Sequence, residues 1–223
     1  MKTVNHNFQR RSPLMACLLA AGLLGNIAFA DAADSTGAVG TAIDTSMAAM
    51  TKEPMARFNG DGTLMRPTGY REWIYIGSPL TPNDMNNGKA AFPEFHNVYI
   101  DPASWAHWKK TGEFRDGTLI VKELLSVATK SSFSGNGYFM GEYQGLEAMV
   151  KDPSRFPKAD SYWGFFRFTT EDHNRLLKTS KVVPSSACVS CHAPNAQQDM
   201  VFVQHYPVLR AAKGRGEAGT GGK

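Results

Sequence analysis

Thr118-Leu119-Ile120-Val121-Lys122-Glu123-Leu124-Leu125-Ser126-Val127 is rich in β-branched and apolar residues and reads with a period of two. As a strand it puts Leu119, Val121, Leu125 and Val127 on one face and Ile120, Lys122 and Leu124 on the other. Stretches of the same character lie on either side of it: Trp73-Ile74-Tyr75-Ile76, Asn97-Val98-Tyr99-Ile100, Gly137 to Tyr143, and Tyr162 to Phe168. Each is bounded by Gly, Pro, Asn or Asp, so five or more strands are expected. Helices are fewer. Asp101-Pro102 supplies an N-cap followed by proline at the first helical position, and Gly112 closes that segment. Further helices are predicted over Glu171 to Lys178, around Cys188 to His192, and from Pro207 to Lys213. Strands come first and helices gather near the C-terminus, an order that predicts an α+β fold with a mostly antiparallel sheet. No internal repeat interrupts it.

The first thirty residues read as an export signal. Met1 to Pro13 carries Lys2, Arg10 and Arg11, Leu14 to Phe29 is mostly apolar, and Ala28-Phe29-Ala30 has the small-x-small pattern of a cleavage site, so cleavage is expected after Ala30. Leu14-Met15-Ala16-Cys17 resembles a lipoprotein box but stands at the start of the apolar stretch rather than after it. Cys17 therefore leaves with the signal. Removing three basic and no acidic residues brings the formal charge of +4 close to neutral, which gives nucleic-acid binding no support. After Ala30 no apolar run approaches the ~20 residues needed to span a bilayer. Residues 31–53 and 214–223 are rich in small and polar residues and read as flexible ends, leaving 54–213 as a single domain. The expected location is the periplasm.

Cys188-Val189-Ser190-Cys191-His192 has the C-x-x-C-H spacing of haem c attachment. One helical turn presents two thiols to one porphyrin edge, and the next residue brings an imidazole under the iron. A zinc site would need a second Cys or His pair, and residues 31–223 contain no other cysteine. A thioredoxin-like pair belongs near the start of a βαβ unit, not after a long β-rich stretch. Past His192 the only methionine is Met200, placed to lie on the histidine's own side of the ring. The opposite side must therefore be closed by upstream strands. Met140, Met149 and His96 remain open there as sixth ligands, beside their ordinary reading as core filler or surface groups.

Two charged residues upstream break the apolar pattern. Lys122, flanked on its own face by Ile120 and Leu124, is either reaching for solvent at a sheet edge or turned into a pocket. In a pocket it would lose its hydration, and the neutral amine would be a usable nucleophile. In Gly145-Leu146-Glu147-Ala148-Met149-Val150, Leu146, Ala148 and Val150 face one way and Glu147 with Met149 the other. Glu147 is either a solvated carboxylate or, in an apolar haem pocket, a proton relay with a raised pKa.

Several longer stretches resemble the cytochrome P-460 group of lysine-crosslinked c-type cytochromes. They are Tyr70-Arg71-Glu72-Trp73, Val98-Tyr99-Ile100-Asp101-Pro102, the run from Ala106 to Thr118, Gly135-Asn136-Gly137-Tyr138-Phe139-Met140-Gly141, Asp199-Met200-Val201-Phe202, and Tyr206 to Ala212. The resemblance implies a largely antiparallel sheet, usually in a homodimer, and oxidation of hydroxylamine to nitrous oxide, or to nitrite and nitric oxide. It also implies an open ferric site and electrons passed to a periplasmic carrier cytochrome. It places at Lys122 the lysine bonded to a porphyrin meso carbon, and at Glu147 the carboxylate that takes protons during turnover. The chain departs from the pattern at His96, where a relative carries arginine. A related group, cytochrome c′-beta, shares the fold, lacks the crosslink and binds nitric oxide without turnover; lysine at 122 and glutamate at 147 favour the enzyme. A simple electron carrier is the third reading.

Overall fold

A computed structural model describes residues 55–170, 172 and 175–215. The expected signal (1–30), the lead-in (31–53) and most of the expected tail (216–223) lie outside the described residues. Five strands form one sheet in the order of the chain: β2 (Ile74–Gly77), β3 (Phe95–Ile100), β4 (Leu119–Ser132), β5 (Gly135–Lys151) and β6 (Trp163–Arg167). Every neighbouring pair is antiparallel. Two short strands, β1 (Leu64–Met65) and β7 (Thr179–Ser180), pair separately. Three α-helices complete the described residues: α1 (Pro102–Thr111), α2 (Ser185–Asn195) and α3 (Pro207–Ala212). The expected α+β architecture is the one observed.

Both faces of the sheet are covered, and the alternation read from β4 sorts the two. Leu119 and Val121 pack with Leu146, Ala148, Val150, Phe166 and Phe168 against Leu64, Tyr70 and Trp73. Ile120 and Met149 face the other way with Val98, Ile100, Trp163 and Phe165, against Trp108 of α1, Leu209 of α3, and Met200 to Val203. Cys188 and Val189 of α2 pack on this second layer. A register shift falls between Leu124 and Leu125. Leu125 and Val127, expected to share a face with Leu119, lie past it on a β4–β5 ribbon that extends well beyond β3 and β6 and ends with Phe133 fully exposed at its tip.

The remaining contacts set the spacing of these layers. Gly145 sits where a Cβ would come within 2.3 Å of the Thr169 hydroxyl, so only glycine lets β5 approach this closely while Leu146 N–H donates to the same oxygen. Trp108 is fully buried, stacks on Phe114 at 4.6 Å, and donates its indole N–H to the Leu209 carbonyl, joining α1 to α3. Gly112 ends α1 in the left-handed region at φ 74.

One predicted element is not formed by the described residues, which here leave out 171, 173 and 174. The segment expected to form a helix over Glu171 to Lys178 instead turns back on the sheet: Thr170 N–H reaches the Arg175 carbonyl, Leu176 bridges Thr169, and Leu177 N–H donates to Phe168. The Thr170 hydroxyl accepts from Arg175 N–H and donates to Asp172, so the polar side chains that looked like a helix start satisfy a tight return instead.

Asp101 is fully buried, and its two oxygens serve two elements. Oδ1 accepts from Ser104 N–H at the start of α1, and Oδ2 accepts from Leu119 N–H at the start of β4, each at 2.9 Å. Asp101→Ala removes a helix cap and leaves a buried strand N–H unpaired; the expected loss is about 2–4 kcal/mol, measured by urea unfolding.

Candidate functional site

β4 is the middle strand of the five, so Lys122 is not at a sheet edge. The antiparallel register sets Lys122 opposite Glu147, and Glu147 opposite Arg167 of β6. Cross-strand partners share a face, and the three side chains meet there: Lys122 Nζ lies 2.6 Å from Glu147 Oε2, and Arg167 Nε lies 3.3 Å from Glu147 Oε1. The Lys122 ammonium also stands 5.0 Å from the centre of the Phe92 ring. Burial raises the proton affinity of Glu147, but the charge and hydrogen bond of Lys122, then those of Arg167, outweigh it, and the pKa lies below the ordinary glutamate value. The raised pKa expected from an apolar pocket is not found, because the pocket brings two cations to the carboxylate.

Sequence reasoning missed Arg167. The signal was available, since Arg167 has the parity of Trp163 and Phe165 in β6 and so points into the same layer as Lys122 and Glu147.

α2 places Cys188 and Cys191 one turn apart as free thiols, Cys188 half-buried and Cys191 exposed. Burial, then the nearby Glu147 charge, pushes the Cys188 thiol up from its ordinary value. The His192 ring sits between Phe165 and Phe202, at 4.7 and 4.8 Å between centres. Its Nδ1 lies 2.6 Å from the Met200 carbonyl oxygen. A carbonyl can only accept, so Nδ1 carries the proton and Nε2 keeps a lone pair for a metal. Burial also lowers the pKa of His192, which keeps the ring neutral. Two free thiols at this spacing, followed by an imidazole of fixed tautomer, fit a haem c. Among the described residues no three His, Cys, Asp or Glu side chains are grouped so as to hold a metal ion by themselves.

His96, on β3 beside Val98, has the parity of the Lys122 layer. Its Nε2 is buried without a hydrogen-bond partner. Of the other sixth-ligand possibilities, Met149 packs in the core and Met140 is half-exposed near Asn97; Met200 is held at His192 through its carbonyl.

A helix carrying C-x-x-C-H, docked on one face of an antiparallel sheet with its histidine turned toward that face, defines a c-type haem protein. The cytochrome P460 family model matches residues 67–203, more than half the chain, and the chain belongs to that family. No curated protein matches it. No helix among the described residues is long and apolar enough to cross a membrane.

His96 also sets a pH dependence. Burial first, then the Lys122 charge, lowers its pKa from 6.5 to about 4, against a smaller opposing effect of Glu147. The unfolded chain therefore takes up this proton before the folded one does. Stability should be complete above pH 6.5 and fall as the pH drops toward 4, by about 3 kcal/mol for this residue at about 1.4 kcal/mol per pH unit. His96→Gln should flatten that part of a stability curve measured by urea unfolding at each pH.

Proposed function

We propose that the chain is an exported, periplasmic haem c enzyme that oxidises hydroxylamine and passes the electrons to a small carrier cytochrome. The observation that carries this reading is the Lys122–Glu147 ion pair, a lysine and a carboxylate 2.6 Å apart on the sheet face where Cys188 and His192 dock. A carboxylate held between two cations on that face supports turnover over binding of nitric oxide or electron transfer alone, because oxidation of hydroxylamine needs a proton acceptor. Family membership supports haem chemistry of this broad kind, and residues 1–30 support export.

Cys188 and Cys191 would hold the haem as thioethers, and His192 would bind its iron through Nε2. Bound there, the haem supplies a ferric centre that takes electrons from hydroxylamine. Coupling two hydroxylamines to nitrous oxide and water releases four electrons and four protons; oxidation to nitrite or nitric oxide also releases both, so the site needs a proton acceptor. Glu147 is that acceptor. Its depressed pKa keeps it ionised, and its partly exposed side chain can pass each proton to water. Arg167 keeps the carboxylate aimed when Lys122 is otherwise engaged.

Lys122 would form the third tether. Replacing one ring C–H and one amine N–H by a C–N bond releases two electrons and two protons, so a two-electron oxidant such as a peroxide must take part. A nitrogen attached to the conjugated ring is no longer basic. Lys122 would then stop lowering the proton affinity of Glu147, and the opposing effect of burial would make the carboxylate a stronger base. The same reading includes assembly as a homodimer.

Tryptic digestion and mass spectrometry of the haem-loaded protein should recover the Lys122 peptide joined to haem; an unmodified peptide in active enzyme would overturn the crosslink. Glu147→Gln should retain the haem spectrum and lose hydroxylamine turnover at least tenfold, within the 10²–10⁴-fold that a positioned base typically contributes. Full turnover in that variant would remove Glu147 from the mechanism.

A further inference from the structure

The carbonyl that accepts from His192 belongs to a turn of unusual composition. Val201 N–H donates to the Gln198 carbonyl at 2.8 Å, so Asp199 and Met200 are the two central residues, and both have positive φ, 49 and 63. Positive φ at both centres is the pattern of a type I′ turn, which strongly favours Asn-Gly or Asp-Gly. Asp199 tolerates its position, but a left-handed methionine costs about 1–2 kcal/mol, so neighbouring structure must hold the turn in place.

Four hydrogen bonds and one packed side chain hold it. Asp199 Oδ2 accepts from Lys151 Nζ at 2.6 Å, and Oδ1 accepts from the Trp163 indole N–H at 3.2 Å. Before it, Gln198 donates to the Gly112 carbonyl at 2.7 Å and accepts from Lys213 at 2.5 Å. The Met200 side chain is buried in the core, which fixes the far side of the turn. Lys151 and Trp163 are cross-strand partners on β5 and β6, four residues from Glu147 and Arg167 respectively. The anchor of the turn therefore stands on the same two strands as the candidate catalytic carboxylate and its arginine.

Taking His192 as the iron ligand, as proposed above, we infer that Asp199 is a positioning residue: through the Lys151 and Trp163 contacts it holds the Met200 carbonyl as acceptor for His192 Nδ1–H. A short bond to this carbonyl gives the imidazole anionic character, strengthens its donation to iron and favours the ferric state. If the anchor is lost, the turn relaxes toward negative φ, its last peptide rotates, and the carbonyl leaves the imidazole.

The test uses the haem-loaded protein and two readouts besides activity: the iron–histidine stretching frequency of the reduced form by resonance Raman, and the midpoint potential. Asp199→Ala should lower the stretch and raise the potential. Lys151→Gln should shift both in the same direction by less, because the Trp163 contact remains. Asp199→Asn keeps the indole acceptor and tolerates positive φ, and should fall between wild type and Asp199→Ala. Wild-type values of both in folded, fully haem-loaded Asp199→Ala would overturn the inference. If that variant does not fold, wild-type values in Lys151→Gln do so. A six-coordinate reduced wild-type protein would count against the open site proposed above, while the potentials would still decide the role of Asp199.

Discussion

The side of the sheet that carries the candidate site depends on one antiparallel pairing, that of β4 with β5. It sets Lys122 against Glu147, and the next pairing sets Glu147 against Arg167. Three ionisable side chains on three adjacent strands thus meet without any loop supplying them. Strand backbones hold side chains more rigidly than loops, which suits chemistry that depends on the short Lys122–Glu147 contact. The arrangement is costly to bury, because each charge gives up water. Glu147 offsets much of that cost by serving both cations, and Arg167, more than half exposed, stays partly hydrated. Ile120, Met149 and Phe165, on the same face beside these three, belong to the core that supports α1 and α3, so the site borders a packed apolar layer.

The strands were legible because a buried strand in an antiparallel sheet writes its two faces into alternate residues. The same alternation marked Lys122 and Glu147 as charges on an otherwise apolar face. Arg167 carries the same mark, since it shares the parity of Trp163 and Phe165 and not that of Phe166 and Phe168. Asp101 and Gly112 were legible as helix ends because capping is local. The stretch from Glu171 to Lys178 was not, since threonine and aspartate favour helix starts and tight returns for the same reason, and only the pairing of Leu176 with Thr169 decides between them. The turn at Asp199-Met200 had no local signature: methionine is a poor choice for a left-handed position, and what holds it there comes from residues distant in the chain.

The turn behind His192 and the Glu147 carboxylate are linked through the sheet. Lys151 and Glu147 are on β5, and Trp163 and Arg167 on β6, so one pair of strands holds both. Relative motion between the two would require these strands to slide, which the ladder between Glu147 and Lys151 opposes.

Lys122 is followed by Glu123, which turns into the opposite layer, almost fully buried, and accepts hydrogen bonds from the Tyr70 hydroxyl and from Arg71. A cation and an anion on adjacent residues thus enter different layers, each with its own partner. If β4 slipped one residue one way, Glu123 would meet Glu147 and Leu124 would stand beside Arg71; slipped the other way, Lys122 would meet Arg71 and Val121 would face Glu147, so either slip puts a like-charge contact in one layer and loses an ion pair in the other. Misaligned hairpins of comparable hydrophobicity are therefore penalised on both faces at once. The charge pattern at the centre of β4 acts as a proofreading key during folding, separate from any part these residues take in chemistry afterwards.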